Sequence, residues 1–219
     1  MTLKILVSIV FLSSFSYIYS QDVKPTIFEK AFLGNHSKID SLIFYDFSVK
    51  PIGRIRIKSG KIVGHELKSI KNKSEFIEKF PIGKFPVQVA VVKDFDEEFV
   101  AYCRILFSDE SVVKWQKAII QFPSGISNSD STIGDCPLSD GSNIGVFIDS
   151  VFMKKMKPLK IGLKSNELAG VKNSLRCSMI LFSGITRDCF SSYIGFDANG
   201  KICRLLADTG RIMIPESMY

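Results

Sequence analysis

Aspartates at the ends of predicted strands are the side chains of this sequence best placed to do chemistry. Asp140, Asp149, Asp188 and Asp208 occupy such positions, and together with Tyr193 they form a candidate binding rim. Convergent carboxylates could hold a hard cation such as Ca²⁺, which takes about six to eight oxygen ligands, or act as the acid and base of glycoside cleavage. Turn aspartates also commonly cap backbone N–H groups, which is the structural alternative. The spacing assigns no catalytic residue, no metal site and no cofactor.

Histidine and cysteine offer a second kind of chemistry. His65 precedes Glu66 after the first predicted hairpin, but the sequence has no G-x-S-x-G nucleophile elbow. With two histidines and no C-x-x-C pair, a zinc site would need an unusual ligand set. We therefore interpret His65 as a surface-turn residue. The odd number of cysteines leaves at least one outside any intramolecular disulfide, and their pairing stays open for Cys103, Cys136, Cys177, Cys189 and Cys203.

The first 20 residues have the composition of a secretory signal peptide. Lys4 gives a positive start, a short apolar run covers residues 5–15, and the small Ser20 precedes Gln21. The alternative, an uncleaved membrane anchor, would need roughly 20 apolar residues, and serines interrupt this run. We expect cleavage after Ser20 and a secreted or periplasmic protein. No later stretch is long and apolar enough to cross a bilayer, so the mature chain is predicted to be soluble, with no transmembrane segment.

The formal net charge of +7 comes from basic residues that are scattered along the chain. Between residues 50 and 61 they alternate with isoleucines, which is typical of a solvated strand face. A nucleic-acid surface would gather basic and aromatic residues in one groove, so we expect no nucleic-acid partner. Net charge alone allows weak attraction to anionic cell-surface polymers.

Alternating apolar and polar residues predict strands along most of the chain. Residues 85–92 and 99–107 should be adjacent central strands, with Cys103 buried among them. Trp115 is interpreted as a sheet residue rather than as a platform for sugar stacking. Glycine-containing turns close two predicted hairpins: residues 54–58 with 61–63, and residues 190–196 with 201–207.

Helical patterns are limited to short segments, at residues 26–33, around residues 74–79 and at residues 150–157. Residues 111–122 fit either a helical stripe or an interrupted strand, and residues 123–142 form a loop. About eight or nine strands against two or three short helices predict a mainly β fold, an antiparallel two-sheet sandwich. No linker divides residues 21–219, which we interpret as a single domain.

Short motifs in a fixed order resemble the family catalogued as domain of unknown function 4241. The similar segments are residues 59–63 (SGKIV), 80–89 (FPIGKFPVQV), 107–115 (FSDESVVKW, followed by Ala118), 140–149 (from Asp-Gly to Phe-Ile-Asp), and 183–184 with 193–200 (Ser-Gly, then YIGFD and Gly200). Two departures stand out. The glycine-rich run that follows Ser-Gly in the family is here ITRDCF, with Asp188 kept, and a Cys-Asp-Pro segment is here Gly-His-Glu at residues 64–66.

The resemblance implies a fold and its boundaries, but no activity, because the family has none established. From the residues themselves we expect an exported binding or interaction module, whose end loops or sheet face recognise a partner protein or a surface glycan. The alternative is a carboxylate-dependent or metal-dependent hydrolase of an extracellular polymer. Convergence of the aspartates in one pocket would favour the hydrolase, whereas dispersed and capped aspartates would favour the binding module.

Overall fold

A computed structural model describes most of the chain after the predicted signal peptide. The described residues are 22–23, 26–34, 36–38, 44–67, 70, 75–94, 97–121, 144–153, 162–164, 167–174, 178–185 and 190–212. The predicted signal peptide, Asp140 and Asp188 lie outside these ranges. Within the ranges the fold is mainly β, as the sequence predicts, and its two helices are short.

The strands, in chain order, are β1 (Asp22–Val23), β2 (His36–Lys38), β3 (Phe44–Ile57), β4 (Ile62–Glu66), β5 (Glu75–Phe76), β6 (Gly83–Asp94), β7 (Glu97–Leu106), β8 (Lys114–Lys117), β9 (Ile120–Gln121), β10 (Ile144–Asp149), β11 (Ala169–Asn173), β12 (Ser178–Ser183), β13 (Ser191–Phe196) and β14 (Ile202–Asp208). They form two antiparallel sheets. The eight-stranded sheet has the order β1-β8-β13-β14-β7-β6-β3-β2, and the six-stranded sheet has the order β11-β12-β10-β4-β5-β9.

The chain crosses from one sheet to the other between β3 and β4. The predicted hairpin at this point is therefore wrong, because β3 pairs with β2 and β6 whereas β4 pairs with β5 and β10. Gly60 has a φ of +73°, as a tight turn requires. This turn signal is local, however, and does not determine whether the next strand pairs with the last one or leaves its sheet. Ile57 and Ile62, on either side of the turn, are both buried between the sheets.

The core lies between the two sheets and confirms the predicted sandwich. Val87, Cys103 and Leu205 contribute from the eight-stranded sheet, and Phe147 and Phe182 from the six-stranded sheet; all five are 0% exposed. The Phe147 and Phe182 rings have centroids 5.7 Å apart. The predicted pairing of residues 85–92 with 99–107 is confirmed by β6 and β7, and the C-terminal hairpin by β13 and β14.

A short helix covers part of the outer face of each sheet. Helix α1 (Thr26–Lys30) places Phe28 against Tyr102 and Trp115 of the eight-stranded sheet. Trp115 is fully buried there, which confirms its interpretation as a sheet residue. Helix α2 (Ser150–Met153) packs Phe152 on the outer face of the six-stranded sheet. Neither helix, nor any other in the described ranges, has the length and apolar content to span a bilayer.

Two local predictions are resolved by pairing between distant segments. Residues 75–76 are strand β5 rather than part of a helix, because Glu75 pairs with Val63 on one side and with Gln121 on the other. Residues 111–122 contain β8 and β9, so the interrupted strand replaces the helical stripe. Helix α2 occupies the start of the predicted 150–157 helix, and residues 154–157 lie outside the described residues.

Gly64 gives a test of how tightly the two sheets pack. A Cβ at this position would lie 2.5 Å from Phe76 Cζ and 2.8 Å from Phe147 Cε1. We expect Gly64→Ala to destabilise the protein by about 1–3 kcal/mol, because both rings would have to move within a filled core. Urea unfolding followed by fluorescence measures this. Gly162→Ala is the control, since a Cβ there meets nothing within 4 Å; equal stability of the two variants would contradict the described packing.

Candidate functional site

Asp149 of the predicted rim lies at the corner where the chain passes between the sheets. Its carboxylate is 0% exposed. Oδ2 accepts hydrogen bonds from the backbone N–H of Lys58 (2.5 Å) and of Ser59 (2.8 Å), while Oδ1 accepts from Ser59 Oγ and Val151 N–H, both at 2.8 Å. A carboxylate surrounded by donors from its own chain has little capacity left for a ligand. Asp149 is therefore a structural residue of the corner.

The other described rim residues lie on the eight-stranded sheet, away from Asp149. Tyr193 is 6% exposed and packs its ring 4.7 Å from that of Phe28, beneath α1. Asp208 ends β14 and accepts a hydrogen bond from Gly210 N–H at 2.9 Å. The structure thus places Tyr193 and Asp208 on the paired strands β13 and β14 and Asp149 on the other sheet, and Asp140 and Asp188 lie outside the described residues. Among the described residues, no group of three or more His, Cys, Asp or Glu side chains could hold a metal ion.

The side chains of His65 and Glu66 point to opposite faces of their sheet, as successive residues of a strand do. Both lie on β4, where Glu66 is 4% exposed and His65 is half-buried. The Glu66 N–H donates to His65 Nδ1 at 2.9 Å, which leaves the proton of a neutral imidazole on Nε2. Burial lowers the pKa of His65, although the nearby Glu66 carboxylate opposes this shift. His65 is thus a strand residue and not the surface-turn residue predicted from the sequence.

A groove at one end of the sandwich, which we call the end groove, is lined by loops from three parts of the chain. Its walls come from residues 79–81, 107–110 and 197–202, and it has a volume of about 590 Å³. These segments precede β6, follow β7 and join β13 to β14. End loops of this kind, held by a rigid scaffold, are where binding sites commonly form. Sequence analysis did not identify this groove.

The walls of the end groove are held by ring packing and by a capped turn. Phe107 lies 5.6 Å from Phe80 and 5.0 Å from Phe85 between ring centroids. On the opposite wall, Asp197 Oδ1 accepts from the N–H groups of Asn199 (2.8 Å) and Lys201 (2.9 Å). Gly200 completes this turn with a φ of +73°. The groove is therefore formed before any ligand binds.

Charged side chains and Ser108 line the end groove. The hydroxyl of Ser108 is buried and has no hydrogen-bond partner among the described residues. The side chains of Lys79, Lys201 and Glu110 also line the groove, and the described residues provide none of them with an ion pair. Buried polar atoms are nearly always paired in folded proteins. The Ser108 oxygen has almost no accessible surface, so Lys79, Lys201 and Glu110 are the exposed charged side chains that the groove offers to a ligand.

A buried charge cluster fixes α1 to the eight-stranded sheet. Arg104 donates to Glu29 Oε2 at 3.0 Å and, through two N–H groups, to Gln88 Oε1 at 3.0 and 2.9 Å. Arg204 lies 3.9 Å from Glu29 and donates to the Ser108 carbonyl. Burial lowers the pKa of Arg104, with Glu29 opposing the shift and Arg204 reinforcing it. The Arg104 guanidinium also stacks 3.8 Å above the Phe32 ring, so these groups are occupied in holding the helix.

The structural role of Asp149 can be tested by removing its carboxylate. In Asp149→Ala the N–H groups of Lys58, Ser59 and Val151 lose their acceptor, and we expect a loss of about 2–4 kcal/mol in the free energy of unfolding. Chemical denaturation measures it. Asp109→Ala removes an exposed carboxylate of the β7–β8 connection and should change stability by less than about 0.5 kcal/mol. A stable Asp149→Ala protein would show that the corner does not need this residue.

Comparison with known proteins gives one match. Residues 55–127 match the family described as Protein of unknown function (DUF4241). No curated protein and no solved structure matches the chain. The matched range includes two of the three wall segments of the end groove, residues 79–81 and 107–110.

The match covers about a third of the chain, including β4, β6, β7 and β8, and the motifs at residues 59–63, 80–89 and 107–115 lie within it. The resemblance found in the sequence is thereby confirmed over this range. The protein resembles the uncharacterised DUF4241 family, and residues 55–127 carry the match.

Proposed function

We propose that this protein is a binding module that acts outside the cytoplasm and recognises its ligand in the end groove. The observation that carries the proposal is a cavity of about 590 Å³ lined by Lys79, Lys201 and Glu110, for which the described residues provide no ion pair. An ammonium group can donate three hydrogen bonds, and an ionised carboxylate can accept several. All three side chains are exposed and line the space that a ligand would fill.

The construction of the groove supports binding. Its aromatic wall of Phe80 and Phe107 is packed, and its other wall is the capped turn at Asp197. A preformed site binds more tightly than a mobile one, because less conformational entropy is lost on association. The three wall segments lie far apart in the sequence, so their convergence depends on the whole sandwich.

The lining of the groove indicates the kind of ligand. Phe107, Pro81 and Ile202 give apolar surface, and Lys79 and Lys201 give two ammonium groups. Binding sites of this mixed type use apolar contact for affinity and a few polar groups for orientation. This lining suits a glycan or a loop of a partner protein, each of which presents both apolar faces and hydrogen-bonding groups.

The alternative, a carboxylate-dependent hydrolase, finds two acids in the groove, Glu110 and Asp197. Glycoside cleavage needs one carboxyl group as acid and a second as base or nucleophile. Asp197 is 6% exposed, and its Oδ1 is used by two backbone N–H groups of its turn. This capping favours the binding module, because it leaves Glu110 as the carboxylate exposed to a ligand.

Export can be tested on the full chain. Expressed with its first 20 residues, the protein should be recovered outside the cytoplasm. Its intact mass should be that of a chain whose first residue is Gln21. The matched variant Ile9→Asp places a charge in the apolar run, which a signal sequence does not tolerate, and should be retained uncleaved. Recovery of the unaltered chain in the cytoplasm, starting at Met1, would contradict the proposed location.

Ligand recognition can be tested with defined probes. We would titrate ¹⁵N-labelled protein with a panel of soluble cell-surface oligosaccharides and extracellular peptides, and expect shifts in the amide signals of residues 79–81, 107–110 and 197–202. The double variant Lys79→Ala/Lys201→Ala should weaken binding of the best probe about tenfold or more, because two polar contacts are lost.

Lys93→Ala is the control for the groove variant. Lys93 is exposed at the opposite end of β6 from the groove, so its removal should leave the affinity unchanged. Binding that perturbs amides elsewhere, or that is insensitive to the groove variant, would contradict the proposed site. Turnover of an oligosaccharide probe that is lost in Glu110→Gln would instead favour the hydrolase.

A further inference from the structure

Three cations form a row on the outer face of the eight-stranded sheet, and we call them the basic strip: Arg54, Arg56 and Lys84. Arg54 and Arg56 lie on β3 and alternate with Ile55 and Ile57, which are buried in the core. Lys84 lies on β6, directly opposite Arg56 in the strand register. All three are exposed, so their charges face solvent together.

Unlike three other lysines of the structure, the members of the basic strip have no acid partner among the described residues. Lys50 pairs with Glu98 at 2.7 Å, Lys61 with Glu75 at 2.9 Å, and Lys172 with Glu167 at 3.1 Å. Among the described residues, no Asp or Glu forms an ion pair with a member of the strip. The strip is thus a local excess of positive charge.

The register makes this excess unfavourable for the fold. Like charges directly opposite each other on neighbouring strands destabilise a sheet, and Arg56 and Lys84 stand in this relation. Solvation accounts for their exposure, but not for two cations placed as cross-strand neighbours. A bound polyanion would convert this repulsion into attraction.

The strip is also partly fixed in place. Arg54 Nη2 donates to the Lys84 carbonyl at 2.8 Å, which anchors its guanidinium across the two strands. An arginine side chain has five N–H donors, so most of them stay available to a ligand. Arg54 and Arg56 are two residues apart on a strand, a spacing of about 6.6 Å, so they could contact successive charges of an extended polymer.

We propose that the basic strip docks a linear acidic polysaccharide. Pro86, the partner of Arg54 in the register, is half-buried, and no exposed large hydrophobic residue lies among the strip residues. Sequence-independent binding of single-stranded nucleic acid uses aromatic side chains on which bases stack, and the strip offers none. One exposed apolar residue nearby, Ile82, is too little for insertion into a lipid surface.

The choice of a polysaccharide rests on the proposed location outside the cytoplasm, whereas the strip itself is independent of the end groove. Heparin serves as the probe because it is a soluble, linear, sulfated polysaccharide. The test variant is Arg54→Gln/Arg56→Gln/Lys84→Gln, and the matched control is Lys50→Gln/Lys61→Gln/Lys172→Gln, which removes the same number of charges from ion-paired positions.

We expect the strip variant to bind immobilised heparin at least tenfold more weakly. The slope of log affinity against log salt should fall in magnitude by about 2–3, since each of the three lost contacts contributes about 0.7–0.9. The control variant should lose less than threefold. Lys84→Glu should also lose heparin binding while melting at the same or a higher temperature, because it replaces a repulsive pair with an attractive one. This variant separates loss of binding from loss of folding.

Equal losses in the strip and control variants would overturn the proposal, because they would show that net charge alone governs binding. Binding of short single-stranded DNA, or of phosphatidylserine vesicles, as tightly as heparin would overturn the choice of polysaccharide. The groove variant Lys79→Ala/Lys201→Ala should bind heparin within threefold of the unaltered protein. The experiments therefore distinguish failure of the basic-strip proposal from failure of the end-groove proposal.

Discussion

The carboxylate of Asp149 holds the corner on which the two-sheet arrangement depends. The chain leaves the eight-stranded sheet at Ile57 and enters the six-stranded sheet at Ile62, so a short turn sets the position of one sheet over the other. Backbone N–H groups of this turn cannot join a strand ladder, and Asp149 supplies their acceptor. Because Asp149 ends β10, which pairs with β4, the same side chain links the turn to the strand that it feeds. The buried position of the carboxylate makes these hydrogen bonds hard to replace with water.

The packing between the sheets follows from this corner and from two glycines. Gly64 on β4 leaves room for the rings of Phe76 and Phe147, and Gly145 on β10 leaves room for the ring of Phe182. A Cβ at either glycine would collide with these rings. The rings fill the space between the sheets, and the β-branched residues of β6 face them. A core of this density does not tolerate a shift of one sheet over the other. The packed core also holds the end groove in place, because the wall segments of the groove are connected to core strands.

The sequence predicts those parts of the fold that local patterns determine. Alternation along residues 85–92 and 99–107 identifies β6 and β7, and the turn sequence around Gly200 identifies the C-terminal hairpin. The corner at Gly60 carries the same turn signal as a hairpin, so its different topology could not be inferred from the residues alone. Strand β5 is two residues long and exists through its pairing with β4 and β9, which no local pattern indicates. Asp149 ends a strand, as the sequence predicts, but the turn whose N–H groups donate to it comes from a distant segment that no local pattern connects to it.

The end groove and the basic strip show why surface features are harder to predict than strands. The groove combines segments that are separated by more of the chain than any motif spans. Two of its three wall segments, residues 79–81 and 107–110, lie within the range that matches the DUF4241 family, but the match does not show that they meet residues 197–202. The strip is visible in the sequence as basic residues alternating with isoleucines, a pattern that solvated strands share. What the sequence could not supply is the register that places Lys84 opposite Arg56, and the ion pairs that neutralise Lys50, Lys61 and Lys172 elsewhere. The net charge gives the number of excess cations, whereas strand pairing determines where on the surface they lie. A charge concentrated on one face attracts a polyanion more strongly than the same charge spread over the whole surface.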